Sequence, residues 1–177
     1  MVEANIVNVV ATADLDEKID LEDLGKLKEV IYDSMIYGGR VAYFRSPSLK
    51  GTVSIFATGK MISVGTKSEE QAIRQLEGAK EFLVEKRFVK RGILKPKIQN
   101  IVVVANFGRN MNLEQLATKL NIIYEPEQFP RGILRIKEPH RATVLLFASG
   151  KAVLTGLKNS SQIDPTIQKV LDLTRVN

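Results

Sequence analysis

The sequence contains one long internal repeat, which limits the fold to an arrangement of two related halves. Ile6, Asn8 and Val10 recur 92 residues later as Ile98, Asn100 and Val102. The same spacing joins Leu21 to Leu113, Tyr32 to Tyr124 and Pro47 to Pro139. Beyond these prolines the spacing is 91 residues, and Gly59, Lys60, Gly65 and Lys67 return as Gly150, Lys151, Gly156 and Lys158. This period is far longer than the roughly 20–50 residues of solenoid and propeller units. We therefore expect two lobes, residues 1–92 and 93–177, and a pseudo-symmetric partner such as a duplex.

The composition argues against an enzyme. The 177 residues are 44% hydrophobic, which is enough to bury a core, and they include no cysteine and one histidine, His140. Disulfides, thiolate metal sites and cysteine nucleophiles are excluded, and histidine-based metal or acid–base chemistry is disfavoured. No nucleophile, base and orienting group occur in register. We expect a protein that is not an enzyme and needs neither a metal nor a cofactor.

The net charge of +6 and the pI of about 9.5 favour a polyanionic partner through long-range attraction. Ordinary solubility explains the same charge equally well. Basic residues cluster between the two copies, at Lys86, Arg87, Lys90, Arg91, Lys95 and Lys97. We interpret this cluster as a solvated helix end followed by a linker over residues 89–95.

The sequence has neither a signal-peptide pattern nor an apolar run of about 18 residues or more. We therefore expect a soluble protein with no membrane association and a cytoplasmic location.

One copy has a recognisable order of elements. Residues 6–13 read as a strand, and Asp20 is a candidate N-cap for a short helix carrying Leu21, Leu24 and Leu27. A turn-rich segment at residues 32–39 precedes three short strands, at about residues 40–45, 52–57 and 60–66. Ser68 and Gln71 resemble a capping box. The long helix that follows has an apolar stripe of Ala72, Ile73, Leu76, Ala79, Phe82 and Leu83.

The second copy repeats this plan, with Asn112 and Gln115 as the cap pair of its short helix. Its last helix differs, because Asp164 and Pro165 suggest an N-cap followed by a proline at the first helical position.

Both faces of the predicted sheet are largely apolar. Asn8 and Val10 share one face of the first strand while Val9 and Ala11 share the other. Two helices per copy cover one face, so the second face needs another partner. The alternative is that helices cover both faces or that the halves stack. Asn8 and Asn100 occupy the same place in both copies, where an unsatisfied amide would be costly. A shared ligand contact and a buried hydrogen bond explain this pair about equally well.

Several segments resemble the TATA-box-binding protein family, especially its archaeal form. They are residues 98–102 (IQNIV), 124–130 (YEPEQFP), 137–139 (KEP), 147–151 (FASGK) and 155–158 (TGLK). The resemblance covers about residues 5–175 and is looser in the first half. It implies an α+β saddle, in which the concave face of a curved ten-stranded antiparallel sheet binds DNA and four helices lie on the convex side.

The resemblance also implies how DNA is read, in the minor groove of A·T-rich promoter sites. The residues expected at the base edges and groove floor are Asn8, Val10, Ile62, Val64, Asn100, Val102, Leu145, Val153 and Thr155. Apolar contacts leave the guanine amine unsatisfied, which disfavours G·C pairs. Tyr37, Phe56, Phe129 and Phe147 take the positions of aromatic wedges that unstack base steps and bend the duplex. The alternative for each aromatic is a loop anchor.

The expected phosphate contacts are Lys60, Lys67, Arg135, Lys151 and Lys158. Such contacts position the protein and make its affinity depend on salt. Glu125 and Glu127 take the place where the family's loop meets transcription factor B, although exposed glutamates also serve solubility. The implied partners are promoter DNA, transcription factor B and the RNA polymerase initiation complex. The apolar face also allows a homodimer when the protein is free.

The first half departs from the family pattern at four positions. The loop has lost its Pro-Glu pair and carries Tyr37, Tyr43 aligns with Arg135, Ser54 aligns with Leu145, and Val64 aligns with Thr155. We expect the first half to bind or bend DNA less well. A divergent paralogue that acts mainly as a protein-interaction or regulatory module, with weak or altered DNA binding, is the alternative function.

Overall fold

The computed structural model describes residues 2–175. The chain divides into two compact units, one of residues 8–99 and one that joins residues 100–175 with those before Asn8. The repeat boundary between residues 92 and 93 is a division of the sequence and stays a prediction.

The unit of residues 8–99 contains an antiparallel sheet in the order β2-β3-β4-β5-β1. Its strands are β1 (Glu3–Asp14), β2 (Val30–Tyr32), β3 (Val41–Phe44), β4 (Thr52–Phe56) and β5 (Lys60–Thr66). Its helices are α1 (Leu21–Leu24) and α2 (Glu69–Glu85). Helix α2 packs on β4 and β5, and α1 packs on β2 and β3.

The other unit repeats this architecture in the order β6-β10-β9-β8-β7. Its strands are β6 (Lys97–Asn106), β7 (Ile123–Tyr124), β8 (Arg131–Ile136), β9 (Ala142–Phe147) and β10 (Lys151–Leu157). Its helices are α3 (Leu113–Lys119) and α4 (Ile163–Thr174). The predicted α+β class, with ten antiparallel strands and four α-helices, is therefore confirmed for the described residues.

Three of the predicted helix caps are present. The side chains of Asp20, Ser68 and Asn112 accept the backbone N–H three residues ahead, at 3.0, 3.1 and 2.9 Å. Such caps satisfy donors that have no partner inside the helix. Helix α1 ends at Leu24, so Leu27 lies outside the predicted short helix.

The predicted N-cap at Asp164 is wrong, because α4 begins at Ile163. A 3-10 turn at Ser160–Gln162 leads directly into it, and Asn159 caps that turn by accepting from Ser161 N–H at 2.8 Å. Pro165 lies in the first turn of α4, where a missing N–H breaks no intrahelical bond.

Each sheet has one buried face, as the alternation of side chains predicts. In β1, Val9 and Ala11 are fully buried, whereas Asn8, Val10 and Thr12 are half-buried. Leu76 and Leu83 of α2 are fully buried, and the Phe82 ring stacks on Phe44 at 4.5 Å. A fully buried leucine contributes about 1.5–3 kcal/mol. One face of each sheet is thus covered by the helices that pack on it.

None of the helices among residues 2–175 combines the length and apolar character needed to cross a membrane.

Candidate nucleic-acid interface

The sheet face away from the helices in residues 8–99 is called the first open face. A cross-strand row crosses it through Ile31, Tyr43, Ser54, Ile62 and Thr12. The predicted groove residues Asn8, Val10, Ile62 and Val64 all lie on this face and are half-buried. Two of the five row positions carry aliphatic side chains, so this row is mixed in polarity.

The corresponding surface of the other unit is called the second open face. Its row passes through Ile123, Ile133, Leu145, Val153 and Val104. The predicted groove residues Asn100, Val102, Leu145, Val153 and Thr155 all lie on this face and are half-buried. Every row position here is aliphatic, so the second open face is the more apolar of the two.

Asn100 is held by the backbone of β10. Gly156 N–H donates to Asn100 Oδ1 at 2.7 Å. Because a backbone N–H can only donate, the atom facing it must be the amide oxygen. The Thr155 hydroxyl lies 3.1 Å from Asn100 Nδ2 and 3.2 Å from its Oδ1. The amide NH₂ and this hydroxyl together supply hydrogen-bond donors to the second open face.

Asn8 repeats the arrangement with one change. Gly65 N–H donates to Asn8 Oδ1 at 2.8 Å, which fixes the amide in the same sense. Val64 stands where the other unit has Thr155, and it offers the Asn8 amide no hydroxyl. The two asparagines therefore share a backbone anchor, while within residues 2–175 only Asn100 has a side-chain hydrogen-bond partner.

Glycine is required at both anchors. Gly65 and Gly156 have φ angles of +86° and +98°, a region that other residues rarely adopt. These glycines sit beside the irregularities in strand register at Val9–Ala11 and at Leu154–Leu157. The resulting bulges turn the glycine N–H toward the asparagine side chain.

The two aromatic positions of the second half are linked by Arg131. The Arg131 guanidinium lies 5.0 Å from the centre of the Phe129 ring, and Arg131 is the cross-strand partner of Phe147. Phe129 is 53% exposed at the end of its loop. Arg131 Nε is buried without a hydrogen-bond partner in the described part of the chain. One cation is thus adjacent to both aromatic positions.

The aromatic positions of the first half are arranged differently. Phe56 ends β4 on the first open face, opposite Val41 rather than an arginine. Tyr37 is 73% exposed and has a φ of +50°, within a run of left-handed residues that continues through Gly38 and Gly39. Gly38 and Gly39 relieve this turn, but Tyr37 itself is held in a conformation that costs a side-chain-bearing residue about 1 kcal/mol or more.

Strand register corrects the sequence alignment of the two halves. Tyr32 pairs with Ala42, whereas Tyr124 pairs with Gly132, so the first-half hairpin loop is two residues longer. Tyr43 therefore corresponds to Ile133, and the predicted correspondence of Tyr43 with Arg135 is wrong. Pro47 and Pro139 lie in the loops between β3 and β4 and between β8 and β9, outside the paired strands.

The counterpart of Arg135 is Arg45. Arg135 pairs with Thr143 across β8 and β9, and Arg45 Nε donates to Thr52 Oγ1 at 3.2 Å. Thr52 and Thr143 are equivalent at the 91-residue spacing. The first half thus retains an exposed arginine at this position.

The predicted phosphate contacts are exposed and occupy equivalent strand ends. Lys60 and Lys151 begin β5 and β10, and Lys67 and Lys158 follow the ends of the same strands. The backbone N–H of Lys67 and that of Lys158 donate to Gln71 and Gln162 at 3.2 and 2.9 Å. These hydrogen bonds hold the backbone of both lysines at the starts of the helical segments that follow β5 and β10.

Glu125 and Glu127 lie in an exposed loop that the backbone closes on itself. Gln128 N–H and Phe129 N–H donate to the Glu125 carbonyl at 3.0 and 2.8 Å. Both carboxylates project from a small ordered turn at the end of the second unit's hairpin.

Among the described residues, no group of three or more His, Cys, Asp or Glu side chains could hold a metal ion. The two open faces and the strand ends beside them present hydrogen-bond donors, apolar side chains and exposed cations.

The chain matches the family described as "Transcription factor TFIID (or TATA-binding protein, TBP)" over residues 3–85 and 95–175. It is 39% identical over 170 residues to the TATA-box-binding protein of Sulfolobus acidocaldarius, covering 95% of this chain and 85% of that protein. It is 34% identical over 159 residues to the TATA-box-binding protein of Cenarchaeum symbiosum, covering 89% of this chain and 86% of that protein.

A solved structure gives the same result. The structure of Methanococcus jannaschii TBP is similar with a TM-score of 0.84 and 33% sequence identity, covering 97% of this chain and 98% of that one.

Proposed function

The chain belongs to the TATA-box-binding protein family, a family of non-enzymatic transcription initiation factors, and we propose that its two open faces bind A·T-rich promoter DNA in the minor groove. The inserted aromatics would kink the duplex, and the protein would recruit transcription factor B and RNA polymerase. In an archaeal cell this activity belongs on the nucleoid in the cytoplasm.

The single observation that carries this proposal is the fixed orientation of Asn8 and Asn100. The backbone N–H groups of Gly65 and Gly156 occupy the two amide oxygens, so the amides offer donors outward. The minor-groove edges of A·T and T·A pairs carry acceptors alone, at A N3 and T O2. Donors on the protein match acceptors on the bases.

The apolar residues around the asparagines supply discrimination. Val102 and Val153 lie beside Asn100 on the second open face and are half-buried. A guanine in their place would bring its N2 amine against side chains that accept no hydrogen bond. The same logic applies to Val10 and Ile62 on the first open face.

The exposed cations supply the sequence-independent part of binding. Lys60, Lys67, Lys151, Lys158 and Arg135 contact phosphates in this proposal, and Arg45 joins them through its equivalence with Arg135. Each contact contributes about 0.9 to the slope of affinity against salt on a logarithmic plot. Phe129 and Phe147, with Tyr37 and Phe56, are the wedges, and Glu125 and Glu127 contact transcription factor B.

The more polar row of the first open face and the longer loop at Tyr37 favour a second candidate. A paralogue with weakened DNA binding could act mainly through protein partners. Ser54 and Thr12 replace aliphatic residues of the other row, and Val64 removes a donor. These changes reduce both the apolar area and the donors that face the groove.

A band-shift titration separates the two candidates. The purified full chain is titrated against a duplex that carries an A·T-rich promoter element and against the same duplex with G·C pairs substituted, each with and without transcription factor B. The proposed function predicts a preference for the A·T duplex of at least about 100-fold, since each mismatched pair costs about 1–3 kcal/mol. Equal affinity for both duplexes, with transcription factor B present, would refute the proposed function and favour the second candidate.

A further inference from the structure

A pocket of about 510 Å³ opens beside Phe56, within residues 8–99. The wall that belongs to the first open face is formed by Phe56, Ile62 and Thr12. Three lysines line the pocket: Lys60 at the start of β5, and Lys95 and Lys97. Among the described residues that line it, Asp14 supplies the one carboxylate, so three lysines and one aspartate give a formal charge of +2.

The sequence interpretation of Lys95 and Lys97 as solvated linker residues is therefore incomplete. Lys97 is the first residue of β6, and Lys95 lies two positions earlier, just before the strand. Pro96 stands between them and disfavours helical backbone at Lys95. Residues two apart in an extended chain project on the same side. The backbone thus directs both lysines toward one pocket.

The lining combines the two features that recognise a nucleotide in DNA. An aromatic ring and an isoleucine side chain suit the apolar face of an unstacked base, and ammonium groups suit the adjacent phosphates. A small anion would leave the aromatic wall without a contact, and an apolar ligand would leave the three ammonium groups without a counter-charge.

We propose that Lys95 and Lys97, together with Lys60, bind the phosphates that flank the base step at Phe56. This proposal rests on the proposed function, and it adds two DNA-binding residues from the segment that joins the copies. The residues 92 positions before Lys95 and Lys97 are Glu3 and Asn5, so the duplicated pair is acidic and neutral. The extra phosphate contacts belong to the first-half wedge alone and offset its more polar open face.

The test compares two double variants that lose the same charge. Lys95→Gln with Lys97→Gln removes the proposed contacts. Lys119→Gln with Lys169→Gln removes two exposed lysines from α3 and α4, the helices of the other unit. Binding of an A·T-rich duplex is measured by band shift at several salt concentrations.

The loss of two phosphate contacts makes the plot of log affinity against log salt less steep by about 1.8, because each contact contributes about 0.9 to the magnitude of its slope. We expect this change for the Lys95 and Lys97 variant and a slope within about 0.3 of the wild-type value for the control. Equal slopes for the two double variants, with the wild-type chain still selecting A·T DNA, would overturn this proposal alone. Failure of the wild-type chain to select A·T DNA would instead refute the proposed function.

A second measurement locates the contact. Uncharged methylphosphonate linkages are placed one at a time along the duplex, and the loss of affinity is recorded for wild type and variant. The expected result is one or two linkages, next to a kinked step, that weaken the wild-type chain about three- to tenfold and leave the Lys95 and Lys97 variant unchanged. The same loss in both proteins at every linkage would contradict the assignment.

Discussion

Gly156 N–H donates to Asn100 Oδ1 over 2.7 Å, and this bond decides which end of the Asn100 amide faces the open side of the sheet. The same bond joins Gly65 to Asn8 at 2.8 Å. Backbone geometry, rather than the DNA, sets the orientation of both amides before binding. Such preorganisation lowers the entropy cost of recognition.

The substitution Asn100→Asp tests the role of the amide donors. The introduced carboxylate still accepts from Gly156, but it donates nothing and repels the acceptors and phosphates of DNA. Because a good base contact is worth about 1–3 kcal/mol, we expect affinity for an A·T-rich duplex to fall about 5- to 150-fold in a band shift. Asn112→Asp changes the charge equally at a helix cap that aspartate also fills, and it should bind as wild type. Similar losses for both variants would refute the donor role.

Strand register predicts that Arg45, and not Tyr43, is the first-half counterpart of Arg135. Arg45→Gln and Arg135→Gln should each reduce the magnitude of the slope of log affinity against log salt by about 0.9. Tyr43→Phe removes only a hydroxyl and should leave the slope unchanged. The measurement is a titration of one A·T-rich duplex at four or more salt concentrations. A changed slope for Tyr43→Phe, together with an unchanged slope for Arg45→Gln, would support the alignment of Tyr43 with Arg135.

Arg131 is predicted to position the Phe129 ring for insertion. Arg131→Val introduces the residue found at the equivalent Val41, and loss of the cation over the ring should weaken A·T binding about two- to fivefold. Arg131→Lys keeps the charge without the planar guanidinium. Fluorescence of 2-aminopurine at the kinked step should fall in the valine variant and lie between the valine and wild-type values in the lysine variant. Unchanged fluorescence in both would exclude a positioning role.

Gln75 is predicted to be the most sensitive polar position of the fold. Its Oε1 accepts from Gly51 N–H at 2.9 Å, and its Nε2 lies 3.0 Å from Ser63 Oγ and 3.1 Å from the Thr52 carbonyl. Gln75→Ala leaves these buried groups unpaired and should lower the free energy of unfolding by about 2–4 kcal/mol, measured by urea denaturation with circular dichroism.

Gln168→Ala is the matched control for Gln75→Ala. Gln168 is exposed, and among residues 2–175 its side chain bonds only to Asp172 on its own helix, at 2.9 Å. Its loss should cost less than about 0.5 kcal/mol. An equally small loss for Gln75→Ala would mean that water replaces the missing amide.

The strands and caps were predictable because they depend on local patterns. Alternation in residues 6–13 gave β1 and its two faces, and oxygen-bearing side chains at Asp20, Ser68 and Asn112 gave three helix starts. Strands β2 and β7 were missed as separate elements because they have three and two residues, too few for any periodicity. The start of α4 was misplaced because the 3-10 turn before it already supplies helical backbone at Ile163.

The candidate site was predictable where it follows the repeat and not where it follows spatial proximity. Asn8 and Asn100 stood out as a duplicated pair of polar residues on apolar strands. The pairing of Arg45 with Thr52 depends on hairpin loop lengths, which the spacing of the copies alone does not reveal. Lys95 and Lys97 are close to Phe56 only after β6 forms.

The two-residue difference between the hairpin loops has a consequence for how this duplicated chain can change. The hairpin of the first half has two more residues between its paired strands than the hairpin of the second half, while the cross-strand pairs behind both loops correspond. A change in the length of a hairpin loop therefore leaves the strand pairs behind it unchanged. Each hairpin loop can then make contacts that the other does not. A chain built this way can vary in loop length between its copies without disturbing the pairing of its strands.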